Sequence, residues 1–165
     1  MSLFAIALLI FAPMLVEAGR AARNERAQKA RGGLEPRDDV YAIMRIVYPA
    51  VFVAMLAEGA VRGTPSTGVV AAGVTVFALA KLVKWSAILA LGSSWTFRVI
   101  VVPGDRLVTT GPYRYVRHPN YAGVVGELTG VALMTGALFS GPPAVFVFSA
   151  LLLKRIAVEE RALKI

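Results

Sequence analysis

The chain is 165 residues long, 57% hydrophobic and only 17% charged. A soluble domain of this size cannot hide so much apolar surface, so a multi-pass membrane protein is expected. Cysteine is absent and histidine occurs once, which excludes disulfides, thiolate metal sites and cysteine nucleophiles and leaves little to ligate a metal.

In chain order, five apolar segments stand out. The first, Ser2 to Val16, carries Pro13 as a kink. It lacks a basic leader, so it reads as a retained span rather than a secretory signal. The stretch that follows, "EAGRAARNERAQKARGG", is rich in helix formers and ends in a glycine pair, which predicts a solvated or headgroup-bound extension of the first helix. The second segment is Tyr41 to Ala60 and the third Gly68 to Leu91, interrupted by Lys81 and Lys84. The fourth is Tyr121 to Phe139. The fifth is Ala144 to Val158, joined to the fourth by a tight turn at "SGPP". The fold class expected is an all-α integral membrane protein with about five transmembrane helices in a single membrane domain, residues 1–165.

Charge gives the orientation. The net charge is +8, and the basic residues fall between apolar runs, where they suit anionic headgroups better than nucleic acid. Arg20, Arg23, Arg26, Lys29, Arg31 and Arg37 load the first loop, Arg98, Arg106, Arg114 and Arg117 the third, and Lys154, Arg155, Arg161 and Lys164 the tail. The second loop has only Arg62 and the fourth no basic residue. The positive-inside rule then puts the N-terminus outside and the C-terminus in the cytoplasm. Arg45, Lys81 and Lys84 are expected to reach the headgroups from the cytoplasmic ends of their helices.

Polar chemistry collects in two patches on that cytoplasmic side, Trp95 to Tyr121 and Lys154 to Lys164. The hairpin of the last two spans brings them face to face. "GPYRYVRHPNY", Gly111 to Tyr121, reads either as an interfacial anchor or as a ligand cradle, because tyrosines and arginines serve both. In the tail, Arg155 with Glu159 and Glu160 with Lys164 are spaced as helical surface pairs. The alternative is a carboxylate and a guanidinium held for a ligand.

"GPYRYVRHPNYAG", followed some forty residues later by "EERAL", resembles the isoprenylcysteine carboxyl methyltransferase family and its phospholipid methyltransferase relatives. The likeness runs from about Leu91 to the end. It implies an integral membrane methyltransferase with a cytosolic S-adenosylmethionine pocket built by residues 92–165, while residues 1–91 supply helices and the basic loop. The family's cofactor contacts fall on Arg98, on Asp105, Arg106, Leu107 and Val108, and on Tyr113, His118, Pro119, Asn120, Tyr121 and Glu159. The arginine assigned to the acceptor's carboxylate falls on Arg155. The resemblance also implies His118, Arg155 and Glu159 as the catalytic set, with no metal.

The implied partner is a lipophilic methyl acceptor entering from the bilayer, most simply an isoprenylcysteine-like carboxylate. A lipid amine or hydroxyl is the alternative, and a non-enzymatic anchor the reading of another class. Members of that family usually continue past the double glutamate with a pattern like FGxxYxxY. This chain ends at Ile165, a departure that bears on how the pocket closes. The acceptor and the oligomeric state are not encoded in these motifs.

Overall fold

The computed structural model describes residues 1–164. Five α-helices run in the order α1 (Leu3–Ala30), α2 (Tyr41–Arg62), α3 (Thr67–Leu91), α4 (Pro119–Thr135) and α5 (Gly141–Leu163). Short 3-10 turns lie at Gly92–Ser94 and Gly111–Arg114. Four helices, α1, α2, α3 and α5, are long and apolar enough to cross a membrane. The fourth apolar segment forms a shorter helix than its composition suggests. Gly136, at φ +66°, caps α4 at Thr135, so the helix has 17 residues and a length of about 25 Å.

The basic stretch after the first segment continues α1 without a break, as expected, for 28 residues in all. It is not merely solvated. Asn24 Nδ2 donates to the carbonyls of Gly92 (2.9 Å) and Trp95 (2.7 Å), and Gln28 Nε2 donates to Ser93 O at 2.9 Å. The far end of α1 therefore grips the turn after α3. Beyond it, Leu34 and Val101 exchange backbone hydrogen bonds as an isolated antiparallel bridge.

Helices α3 and α4 form the tightest pair, and small residues explain it. A Cβ on Gly130 would stand 2.8 Å from the backbone nitrogen of Phe77, and one on Gly73 would stand 2.7 Å from that of Met134. Such close backbone approach is the membrane form of helix packing. The core around it holds Ile6, Ile10, Phe52, Met55, Leu128, Val131 and Phe148. Exposed apolar side chains such as Phe4, Ile46, Leu82 and Phe146 cover the outside, as lipid contact requires.

The α4–α5 connection differs from the expected "SGPP" turn. The turn is Gly136–Ser140, and Gly141–Pro143 already form the first turn of α5. Proline suits that place because its missing N–H has no helical partner there. Glu58 of α2 supplies the cap, accepting from Phe139 N (3.0 Å), Ser140 N (2.7 Å) and Ser140 Oγ (2.6 Å).

Candidate methyl-transfer site

A cavity of about 540 Å³ opens between α1, α2, the start of α4, α5 and the segment 94–100. One half is apolar, walled by Phe11, Met14, Met44, Pro49, Phe148 and Leu152. The other half is polar, and most of the residues singled out from the sequence meet there. Arg98, Tyr113, His118, Asn120, Tyr121, Arg155 and Glu159 all line the wall.

Helix geometry explains the convergence. His118 precedes α4 as its N-cap, and Pro119 opens the helix at its first position. Tyr121 then faces α5, where its hydroxyl donates to Glu159 Oε2 at 2.6 Å and accepts from Arg155 Nε at 2.9 Å. The rings of His118 and Tyr121 stack at 5.5 Å. His118 Nε2 lies 3.2 Å from Glu160 Oε1, so the double glutamate is shared between the two neighbours.

These contacts bear on three expectations. The helical pairs Arg155–Glu159 and Glu160–Lys164 do not form among the described residues; both glutamates turn to α4 and its N-cap instead. Arg155 is buried, and all three guanidinium nitrogens are engaged: Nε by Tyr121, Nη1 by Asp39 Oδ1 at 3.0 Å, and Nη2 by the carbonyl of Phe97. Five N–H donors meet these three partners, so each terminal nitrogen keeps one N–H beyond them. Asp105, Arg106, Leu107 and Val108 do not line this cavity. The "PGD" turn, with Gly104 at φ +86°, swings them outward, and Asp105 pairs with Arg31 at 2.8 Å. Pro119 is buried behind the wall, where it starts α4 rather than facing the cavity.

Arg98 sits at the rim. Its Nη1 lies 2.5 Å from Glu35 Oε1, and its guanidinium lies over the Tyr41 ring at 4.8 Å. Burial alone would push the Glu35 carboxyl up, but Arg98 and Lys29 together hold it below the usual carboxylate range. The Tyr113 phenol is shifted up, chiefly by burial and further by the charge of Glu159, so it stays a neutral hydroxyl.

Two groups of buried polar contacts near the cavity escape a reading of the sequence. Asp39 ties α5 to the segment after α3, through Arg155 on Oδ1 and Val99 N on Oδ2 at 3.0 Å. Nothing local marks it. The second group overturns the expectation that Lys81 and Lys84 snorkel to headgroups. Lys84 Nζ lies 2.7 Å from Glu17 Oε2 and 3.2 Å from Glu127 Oε1, while Lys81 Nζ lies 3.0 Å from each carboxylate. Tyr48 donates to Glu127 Oε2 at 2.5 Å. Two charges of each sign thus neutralise one another among α1, α3 and α4, which lifts the pull toward headgroups. The available signal was the presence of ionisable residues inside apolar segments, which mark function by default. Glu17, Tyr48 and Lys84 line the cavity at its inner end.

Against known proteins, a model of the isoprenylcysteine carboxyl methyltransferase family matches residues 72–165, more than half of the chain. The chain belongs to the isoprenylcysteine carboxyl methyltransferase family. It is 31% identical over 151 residues to the Bacillus subtilis (strain 168) uncharacterized protein YpbQ, covering 87% of this chain and 86% of that one. It is 26% identical over 144 residues to an uncharacterized protein of Haemophilus influenzae, covering 86% and 83%. No solved structure matches it. The family match spans α3 to the tail, and so includes the polar half of the cavity.

Proposed function

We propose that this family member is an integral membrane methyltransferase that takes its methyl group from S-adenosylmethionine and gives it to a lipophilic acceptor. The observation that carries the reading is one cavity whose apolar half adjoins Tyr113, His118, Asn120, Tyr121 and Glu159. Its size suits a small-molecule ligand. The residues fit such a cofactor: Asn120 lines the wall with Oδ1 buried and unpartnered among the described residues, and the partly exposed Glu159 carboxylate can meet an ammonium or ribose hydroxyls.

Tyr113, His118, Asn120, Tyr121 and Glu159 would hold the cofactor, with Arg98 at the rim. When bound, it supplies an electrophilic methyl whose C–S bond breaks, the electron pair returning to sulfur, as the bond to the acceptor forms. The residues of the chain orient the two reactants and exclude water, which suffices for an in-line displacement with a neutral leaving group. The acceptor slides from the bilayer into the apolar half, and an isoprenylcysteine-like carboxylate needs no general base because it is already ionised. A second reading, methylation of a lipid hydroxyl or amine, is favoured by one observation: each Arg155 nitrogen already holds a protein partner. For an amine, His118 would then be placed to take the proton.

The distribution of basic residues supports a cytoplasmic site and an external N-terminus. Isothermal titration of S-adenosylmethionine into the detergent-purified chain tests the core of the proposal. Binding that weakens in His118→Ala and in Glu159→Gln is the expected result. No heat at millimolar cofactor would leave "GPYRYVRHPNY" as an interfacial anchor.

A further inference from the structure

In the reading above, the cation first expected to meet the acceptor's polar group, Arg155, already holds a protein partner on each nitrogen. Lys84 is the other buried cation on the cavity wall. An ammonium has three N–H donors. On Lys84 one donates to Glu127 Oε2 at 3.3 Å, and Glu17 Oε2 at 2.7 Å and Glu127 Oε1 at 3.2 Å stand by as ion-pair contacts. One donor remains without a carboxylate. The Tyr48 ring, itself part of the wall, lies 5.6 Å from the ammonium.

The position suits a reactant. Lys84 packs beside Gly123, where a Cβ would touch the lysine's own at 2.8 Å, and Gly123 lies two residues beyond Tyr121 on α4. Glu127 lies six residues beyond Tyr121, about 9 Å deeper along the helix. The lysine thus sits just below the polar shell of the cofactor reading, on the side from which a lipid would present its head.

We propose that Lys84 binds the anionic oxygen that receives the methyl group, and that Glu17 and Glu127 exist to keep this lysine charged in an apolar surrounding. This rests on the methyl-transfer reading of the cavity and names its acceptor class: a lipid bearing an oxyanion. A carboxylate arrives in that form, and a phenolic hydroxyl reaches it by losing its proton to water on binding. Without an acceptor the cluster is neutral, so the ammonium costs little to bury. With one, the free donor forms a charge-assisted hydrogen bond. Because the oxygen loses its charge as the methyl arrives, Lys84 serves binding more than rate.

The test uses the full chain with two probes, an S-farnesylcysteine derivative for the carboxylate and a long-chain 4-alkylphenol for the hydroxyl. Each is titrated into protein saturated with S-adenosylhomocysteine and assayed with S-adenosylmethionine. The charge-balanced variant Lys84→Met/Glu127→Gln leaves Lys81 paired with Glu17. It should weaken the accepted probe about 10–100-fold and raise its KM alike, with kcat and cofactor affinity nearly unchanged. Which probe binds the wild-type chain separates the two oxyanions.

Unchanged probe affinity, or loss of cofactor affinity in a folded variant, overturns the assignment, as does a wild-type chain that binds neither probe. Should the pair fail to fold, Lys84→Arg decides: its larger head displaces whatever sits against Lys84, so unchanged probe affinity refutes the proposal. Failure of the methyl-transfer reading itself would show separately, as absence of cofactor binding by the wild-type chain.

Discussion

Tyr121 shows how one hydroxyl can hold a site together. It bridges Arg155 and Glu159, two residues one helical turn apart that would otherwise pair with each other. Tyr121→Phe should cost about 1–3 kcal/mol of stability, because it leaves buried polar partners unmatched, and should weaken S-adenosylmethionine binding in the same titration. Unchanged affinity would remove Tyr121 from the cofactor shell. Glu35 gives a pH signature. Its carboxyl is held below the usual range by Arg98 and Lys29 against the upward push of burial. Its contribution is therefore present above the ordinary carboxylate pKa and is lost as pH falls through the lower folded value. Melting temperatures of wild type and Glu35→Gln should converge below about pH 3 and separate above about pH 5. A constant gap across that window would contradict the pairing.

At the scale of elements, the α3–α4 contact sets how close the two walls stand. Gly130→Val would place branched carbons against the backbone of Phe77, so overpacking of about 1–3 kcal/mol and a lower melting temperature are expected. A melting temperature equal to wild type would mean that the helices separate freely. The same contact explains why α4 can be short: its backbone is sheltered by α3 along its length rather than facing lipid. Gly126 and Gly130, one helical turn apart, suit close packing but do not name the partner, because small residues specify distance and not identity. Helix α4 begins at Pro119, two residues before the apolar segment expected from Tyr121, and the "SGPP" boundary was misread because proline is equally at home in a turn and in the first turn of a helix.

For the whole molecule, orientation is the open consequence of the charge pattern. The chain has no cysteine, so single introduced cysteines report cleanly. In intact cells, Ser66→Cys and Ser140→Cys, at the ends of α2–α3 and α4–α5, should react with an impermeant maleimide. Arg31→Cys and Arg114→Cys should react only after permeabilisation. The opposite pattern would invert the topology and move the cavity mouth to the other face. The basic end of α1 was expected to lie on headgroups; instead it carries Asn24 and Gln28 to the turn that begins the cavity wall. Those amides looked like solvent-facing helix residues because their partners are some 65 to 71 residues away.

The sequence by itself determined the helical class, the apolar segments, the clustering of charge between them and the two motifs that meet at the site, because each depends on local composition or spacing. Tertiary structure alone decided the partners. It turned Glu159 toward Tyr121, engaged Arg155 with Asp39, and carried "DRLV" away from the cavity. It also drew Glu17, Lys81, Lys84 and Glu127 into one neutral cluster. The physical reason is that a buried charge is settled by whichever opposite charge the packing brings within reach, and that distance is not written in either residue's neighbourhood.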